Sequence, residues 1–267
     1  MSKLIFVHRV DNNNPGDLFS CPNKYFTFES QDQKTFDIKF PDTITEPHEI
    51  CIIGGGGLGK PWFYERLNLL FSKDIKSFVT WGIGYNHFEI NQPLNKLYRN
   101  KRIFDIFERA DLNSSRDFNY LFDHEWIPCA SCMSSLFDRF KKISPKKEVG
   151  VIYHGATNFK IDGLSSEDYL TNFGPSMEEK LNFISNYKII ISNSYHGIYW
   201  STLLNKKVLY IPWKSSIKYM KHQPREINNN LSLRDNLNIT LNFPEALKEC
   251  RQANINFYYK VKKKYGI

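Results

Sequence analysis

The 267-residue chain has no apolar run approaching the roughly 20 residues that a membrane-spanning helix needs. Its opening, MSKLIFVHRV, lacks the long apolar region and small-residue cleavage site of a secretory signal. Together these absences predict a protein that stays in the cytoplasm. Cysteine is sparse, and five residues, an odd number scattered at positions 21, 51, 129, 132 and 250, argue against a disulfide scaffold. Cys129 and Cys132 form a C-x-x-C spacing, but no second pair or histidine pair completes a zinc set, so they read as reduced, packed cysteines. No H-E-x-x-H or EF-hand spacing occurs, and no metal is expected. RNA-binding and zinc-finger signatures, internal repeats and low-complexity segments are also missing, so nucleic acid is not an expected partner.

The remaining composition is that of a folded, basic protein. With 41% hydrophobic and 15% aromatic residues, the chain can build one large or two modest cores. A net charge of +8 asks for an acidic partner, such as a phosphorylated substrate or an anionic membrane. Part of the excess lies in the tail, where Lys260, Lys262, Lys263 and Lys264 alternate with Phe257, Tyr258, Tyr259 and Tyr265. That pattern fits a solvated helix face, or a basic aromatic helix resting at the inner face of an anionic membrane.

Apolar runs ending in glycine or polar turns recur along the chain. Strands are predicted at Lys3–His8, Glu49–Ile53, Ser77–Trp81 and Val149–Tyr153, with helices over Trp62–Phe71 and Ser176–Asn186. The loop VDNNNPGD should be irregular, and Ile103–Arg109 fits a short helix or strand. This order predicts an α/β fold with two parallel-sheet, Rossmann-like domains, residues 1–140 and 141–267, joined through the charged stretch Asp138–Glu148. Pro244–Tyr265 reads as one or two final helices.

The richest segment is Ile189–Trp213. The apolar run Ile189–Ile191 stops at Ser192, Asn193 and Ser194, a short helix follows over Tyr195–Leu204, and Lys207–Pro212 is the next strand. Ser194 and His196 therefore fall between a strand's carboxyl end and a helix N-terminus, where open α/β sheets bind ligands and free N–H groups favour anions. Gly54–Gly57 let a ligand approach the backbone closely, but in GGGGLGK the residue after Lys60 is Pro61 rather than Ser or Thr, so this is not a nucleotide P-loop.

The run S-N-S-Y-H-G, followed by an aromatic pair, a small-residue helix and a V-L-Y-I-P strand, resembles the C-terminal signature of the polysaccharide pyruvyltransferase family. N-x-G-D at Asn14–Asp17, I-I-G-G-G-G at Ile52–Gly57, T-W-G-I-G at Thr80–Gly84 and S-S-R-D at Ser114–Asp117 fit the same family in order. Some members carry arginine two residues before the histidine, where this chain has Ser194. The resemblance implies a GT-B-like arrangement whose last helices pack back on the first domain. It also implies transfer of a pyruvyl group from phosphoenolpyruvate to a hydroxyl pair of a glycan or lipid-linked saccharide, forming a ketal, with no cofactor. A GT-B-like glycosyltransferase using a nucleotide sugar and a non-catalytic glycan-binding relative are the alternatives.

Ketal formation needs a proton for C3 of the enol ether, a base for the attacking hydroxyls, and cations or N–H groups for the donor's phosphate and carboxylate. His196 is the expected acid and Asp17 the expected base. Arg116, Lys214, Arg225, Ser194 and Gly197 are expected at the donor, and the C-terminal domain is expected to be the donor side. Asn14, Gly55, Gly56, Gly57 and Asn193 are expected at the acceptor, and the N-terminal domain is expected to be the acceptor side.

Overall fold

The computed structural model describes residues 3–30, 32–85, 107–118, 124–157, 159–174, 176–213, 217–228 and 232–267. Its first half is a parallel sheet of β1 (Lys3–His8), β2 (Asp32–Asp37), β3 (His48–Gly54) and β4 (Ile75–Trp81), in the order β2-β1-β3-β4. Bridges from Val79 to Leu112 and from Ile83 to Ser115 carry it on to β5 (Ser114–Ser115), which pairs with β6 (Glu125–Trp126). A second parallel sheet holds β7 (Lys147–Tyr153), β8 (Tyr169–Thr171), β9 (Tyr187–Ser192), β10 (Lys207–Tyr210) and β11 (Arg225–Glu226), ordered β11-β10-β9-β7-β8. The α/β class with two parallel sheets is therefore as the sequence predicts.

Parallel strands are covered on both faces and so read as near-continuous apolar runs. Leu4, Ile5, Phe6 and Val7 of β1 are all fully buried. Ile5 and Val7 face a core with Leu67 and Leu70 of α2 (Tyr64–Phe71), while Leu4 and Phe6 face one with Trp81, Phe257 and Val261. The second sheet divides likewise. Ile152, Ile190 and Val208 pack against α4 (Met177–Ser185) and α5 (Tyr195–Leu203), and Val151, Ile191 and Leu209 lie on the opposite face.

Several local expectations are corrected. The loop before Asp17 contains a short helix, α1 (Pro15–Leu18), because Asn14 accepts a hydrogen bond from the Gly16 N–H and Pro15 sits at the first helical position. The predicted linker begins inside α3 (Leu136–Phe140), whose Phe137 and Phe140 are buried in the second core. Of Ile103–Arg109, residues 101–106 lie outside the described residues, and 107–108 are helical. A helix α6 (Leu233–Asn238) covers one face of the second sheet.

The chain ends in the single helix α7 (Ala246–Tyr265). At its start Leu247 and Cys250 belong to the second half's core, and further on Phe257 and Val261 belong to the first half's. Between them Asn254 is fully buried: its Oδ1 accepts from Trp81 Nε1 at 2.8 Å, and its Nδ2 donates to Pro128 O at 3.1 Å. This packing also answers the membrane expectation for the tail. Phe257 is in the core, Tyr258 stacks on Phe26, and Lys260 and Lys262 pair with Glu125 and Glu29. Of the four tail aromatics Phe257 is buried, Tyr258 and Tyr265 are half-buried and Tyr259 is exposed, which leaves a smaller apolar surface on the tail than its sequence suggests. No helix among the described residues is long and apolar enough to cross a membrane. Replacing Asn254 with Ala would leave the Trp81 N–H and the Pro128 carbonyl unpaired in the interior. It should cost roughly 2–4 kcal/mol in urea unfolding, and a loss under 1 kcal/mol would show that the two halves do not depend on this junction.

Candidate functional site

The carboxyl ends of both sheets face one cavity of about 460 Å³, the position at which open α/β sheets take ligands. From the first half it is lined by Arg9, Asn14, Asp17, Gly57, Lys60 and Arg116. From the second come His154, Asn172, Asn193, Ser194, His196 and Trp213.

Asp17 stands on α1, and its Oδ2 accepts from Asn14 Nδ2 at 2.9 Å. Oδ1 makes no hydrogen bond among the described residues. Burial raises this carboxyl above its usual range, and the opposing pull of Lys60 and then Arg116 is smaller. His8 supports the turn from below, with its Nδ1 3.3 Å from Asp17 O, and burial lowers it to about 4, so it is neutral.

Arg116 is only 4% exposed, its guanidinium lies 3.6 Å above the centre of the Tyr195 ring, and its Nε and Nη1 have no hydrogen-bond partner among the described residues. It acts electrostatically on the carboxyls of Asp17 and Asp117 but forms no ion pair with either, and an anionic ligand would supply the direct contact its buried charge lacks. Lys60 continues the charged wall. Burial lowers its ammonium, Asp17 acts the other way, and Arg116 and Arg9 lower it further. Arg9 itself is held by Asp11 and Asp37.

His196 lies on α5 at the junction of the halves. Burial, with Arg116 second, holds its imidazole well below the ordinary value, so it is neutral at pH 7. Its Nε2 is 3.4 Å from Cys129 Sγ. On its other side a Cβ on Gly16 would come within 2.1 Å of Nδ1, so only glycine admits the ring. Gly84 serves Arg116 in the same way, since a Cβ there would lie 2.1 Å from its Nε.

The expected site residues divide accordingly. Asp17, Arg116, His196, Ser194, Asn193, Asn14 and Gly57 line the cavity together. Asn193, however, commits its amide to a turn: its Oδ1 accepts from His154 N and its Nδ2 donates to Thr157 Oγ1. Asn14 likewise commits its side chain to Gly16 N and Asp17. Ser194 is the N-cap of α5 without a capping side-chain bond. Gly55 backs onto Ser20, Gly56 lies beside Asp17 Oδ1, and Gly197 packs against Ser192 and Ile152. Arg225 is exposed on edge strand β11 and is not among the cavity's lining residues, and Lys214 lies outside the described residues. Among the described lining residues the cations Arg9, Lys39, Lys60 and Arg116 all come from the first half. Missed from the sequence were Lys60, set aside with the P-loop test, and His154, which follows β7 and packs on Trp213 with ring centres 4.1 Å apart.

Two parallel sheets opening on one polar cleft, tied by a returning C-terminal helix, define an α/β protein with two Rossmann-like halves. The chain belongs to the polysaccharide pyruvyl transferase family, whose model matches residues 3–215. A search of curated proteins found no match. Among solved structures it is similar to a functionally uncharacterized protein, KP1_0663, from Klebsiella pneumoniae subsp. pneumoniae NTUH-K2044, with 16% identity and a TM-score of 0.46 over 79% of this chain and 83% of that one. It is also similar to the wall teichoic acid polymerase TagF, with 10% identity and a TM-score of 0.36 over 96% of this chain and 83% of that one.

The contact between Gly16 and His196 makes a double-mutant test. Gly16→Ala should destabilise by about 1–3 kcal/mol through overpacking, and most of that cost should vanish in a His196→Ala background. Equal costs in both backgrounds, measured by denaturant unfolding, would show that the ring does not dictate the glycine.

Proposed function

We propose that this protein transfers a pyruvyl group from phosphoenolpyruvate to two hydroxyls of a saccharide acceptor, forming a pyruvate ketal and releasing inorganic phosphate. The observation that carries this reading is Arg116, a buried and unpaired guanidinium beside Lys60, Asp17 and His196 in a chain of this family. The division into halves at residues 140 and 141 is part of the proposal, but the donor's phosphate and carboxylate meet the cations of the first half. The acceptor lies toward His154 and Trp213, where aromatic faces suit the C–H faces of a sugar ring.

In this scheme Asp17 holds the proton, in place of the acid role expected of His196. Its raised carboxyl protonates C3 of the enol, and C2 becomes electrophilic. The first acceptor hydroxyl attacks C2 and returns a proton to Asp17. Phosphate then departs, the second hydroxyl closes the ketal, and its proton leaves with the phosphate. Arg116 and Lys60 hold the donor's negative charge throughout.

Arg116→Ala and Lys60→Ala should each weaken phosphoenolpyruvate binding by about 1–3 kcal/mol in calorimetry. Unchanged affinity in both would defeat the assignment, and thermal stabilisation by nucleotide sugars but not by phosphoenolpyruvate would favour a glycosyltransferase instead.

Asp17→Asn should lower phosphate release roughly 100-fold or more while the fold is retained. Because the proton-bearing form is the active one and its pKa is raised, wild-type turnover should be full at low pH and fall as pH rises through that value. A wild-type profile that instead rises with pH would reverse the role of Asp17.

A further inference from the structure

Helix α5 brings three side chains of one face to the connection between the two halves. His196, Tyr199 and Trp200 stand at positions i, i+3 and i+4, so they point the same way. Tyr199 Oη donates to Cys129 O at 3.0 Å, and Trp200 Nε1 donates to Ser131 Oγ at 3.0 Å. Ser131 Oγ is in turn 3.3 Å from Cys129 Sγ, and Cys129 Sγ is 3.4 Å from His196 Nε2. Cys129 and Ser131 are both fully buried, and Trp200 is nearly so.

The direction of this chain follows from its first member. An indole N–H can only donate, so Ser131 Oγ is the acceptor there. Among the described residues the polar neighbour left for the Ser131 hydroxyl proton is the sulfur of Cys129. Burial raises the Cys129 thiol, so it keeps its own proton and has that proton to give. The partner left for it is His196 Nε2, which accepts and must carry a lone pair. The imidazole proton then belongs on Nδ1, the nitrogen beside Gly16 with no hydrogen-bond partner among the described residues.

We propose that Cys129 is a positioning residue for His196: its thiol, ordered through Ser131 by Trp200, holds the ring as the Nδ1–H tautomer, with the protonated nitrogen on the Gly16 side and the Nε2 lone pair committed to the thiol instead of free to act as a base. The consequence for catalysis rests on the pyruvyl-transfer reading, in which the lone pair of His196 is taken up by the thiol and the proton transfers fall to Asp17. The tautomer itself does not rest on it.

Long-range proton–nitrogen NMR on protein labelled in its seven histidines reads the tautomer directly, with the His196 signals identified by their loss in His196→Asn. The wild type should show His196 protonated on Nδ1. Cys129→Ser, whose hydroxyl can still donate, should keep that form, and Cys129→Ala should give a mixture of both tautomers. In kinetics with phosphoenolpyruvate, Cys129→Ala should lower kcat about tenfold or more, with Cys129→Ser recovering most of it, a rescue that a purely structural cysteine would not show. If Cys129→Ala does not fold, Trp200→Phe removes the obligatory donor and should yield the same mixture. A wild-type ring protonated on Nε2, or an unchanged tautomer in Cys129→Ala and Trp200→Phe, would overturn the proposal. A wild type with the Nδ1–H form and no turnover of phosphoenolpyruvate would sustain the relay and count against the pyruvyl-transfer reading alone.

Discussion

The approach of Gly16 to His196 is the contact on which the rest of the site depends. One residue belongs to the first turn after β1 and the other to the helix after β9, so they meet only where the carboxyl ends of the two sheets face each other. With no room for a methyl group between them, any residue larger than glycine at position 16 would have to displace the ring or move the two halves apart. Asp17 is the next residue in α1, so placing Gly16 also places the carboxyl. Gly84 repeats the device by seating Arg116, and two short motifs far apart in sequence thus explain each other.

The electrostatics of the cleft follow from how little solvent reaches its charged groups. Burial is the largest influence on Asp17, Lys60 and His196 alike, and in each it disfavours the charged form. The Arg116 guanidinium pushes down the neighbouring imidazole and ammonium. Asp117, buried beside it with its Oδ1 unpaired, is pushed up to about 7 and compensates only in part. Among the described residues the cleft therefore carries more positive than negative charge, which suits a multiply anionic donor better than a neutral sugar.

The legible parts of the sequence were those where a local pattern and the tertiary environment agree. β1, β3, β4, β7, β9 and β10 lie inside their sheets and read as apolar runs. β2, DQKTFD, is an edge strand with exposed or half-buried side chains, and β8 and β11 are short edges, so none left an apolar signal. In the site, residues following strand ends within recognisable motifs were found, as with Asp17, Arg116 and His196. Lys60 was weighed only against a nucleotide loop. His154 and Trp213 acquire their position from packing on each other across separate loops, which no spacing in the sequence encodes. Asn193 shows the opposite error: its motif was visible, but whether its amide faces a ligand or a backbone turn is decided by Thr157, 36 residues away.

The family match ends at residue 215, yet the C-terminal helix beyond it helps to hold the site together. α7 clamps the segment that carries Cys129. Asn254 Nδ2 donates to Pro128 O, Arg251 Nε to Cys132 O at 2.9 Å, and Arg251 Nη2 to Ser134 O at 3.0 Å. Arg251 also forks onto both carboxylate oxygens of Asp138, so its guanidinium is fixed in orientation. Tyr199 and Trp200 hold the same segment from the α5 side. The connection between the halves is thus gripped by one helix from inside the matched region and one from outside it. His196 touches that connection through Cys129, so its ring is coupled to α7 without contacting it, and a change on the far helix can alter the cleft by loosening the segment between them.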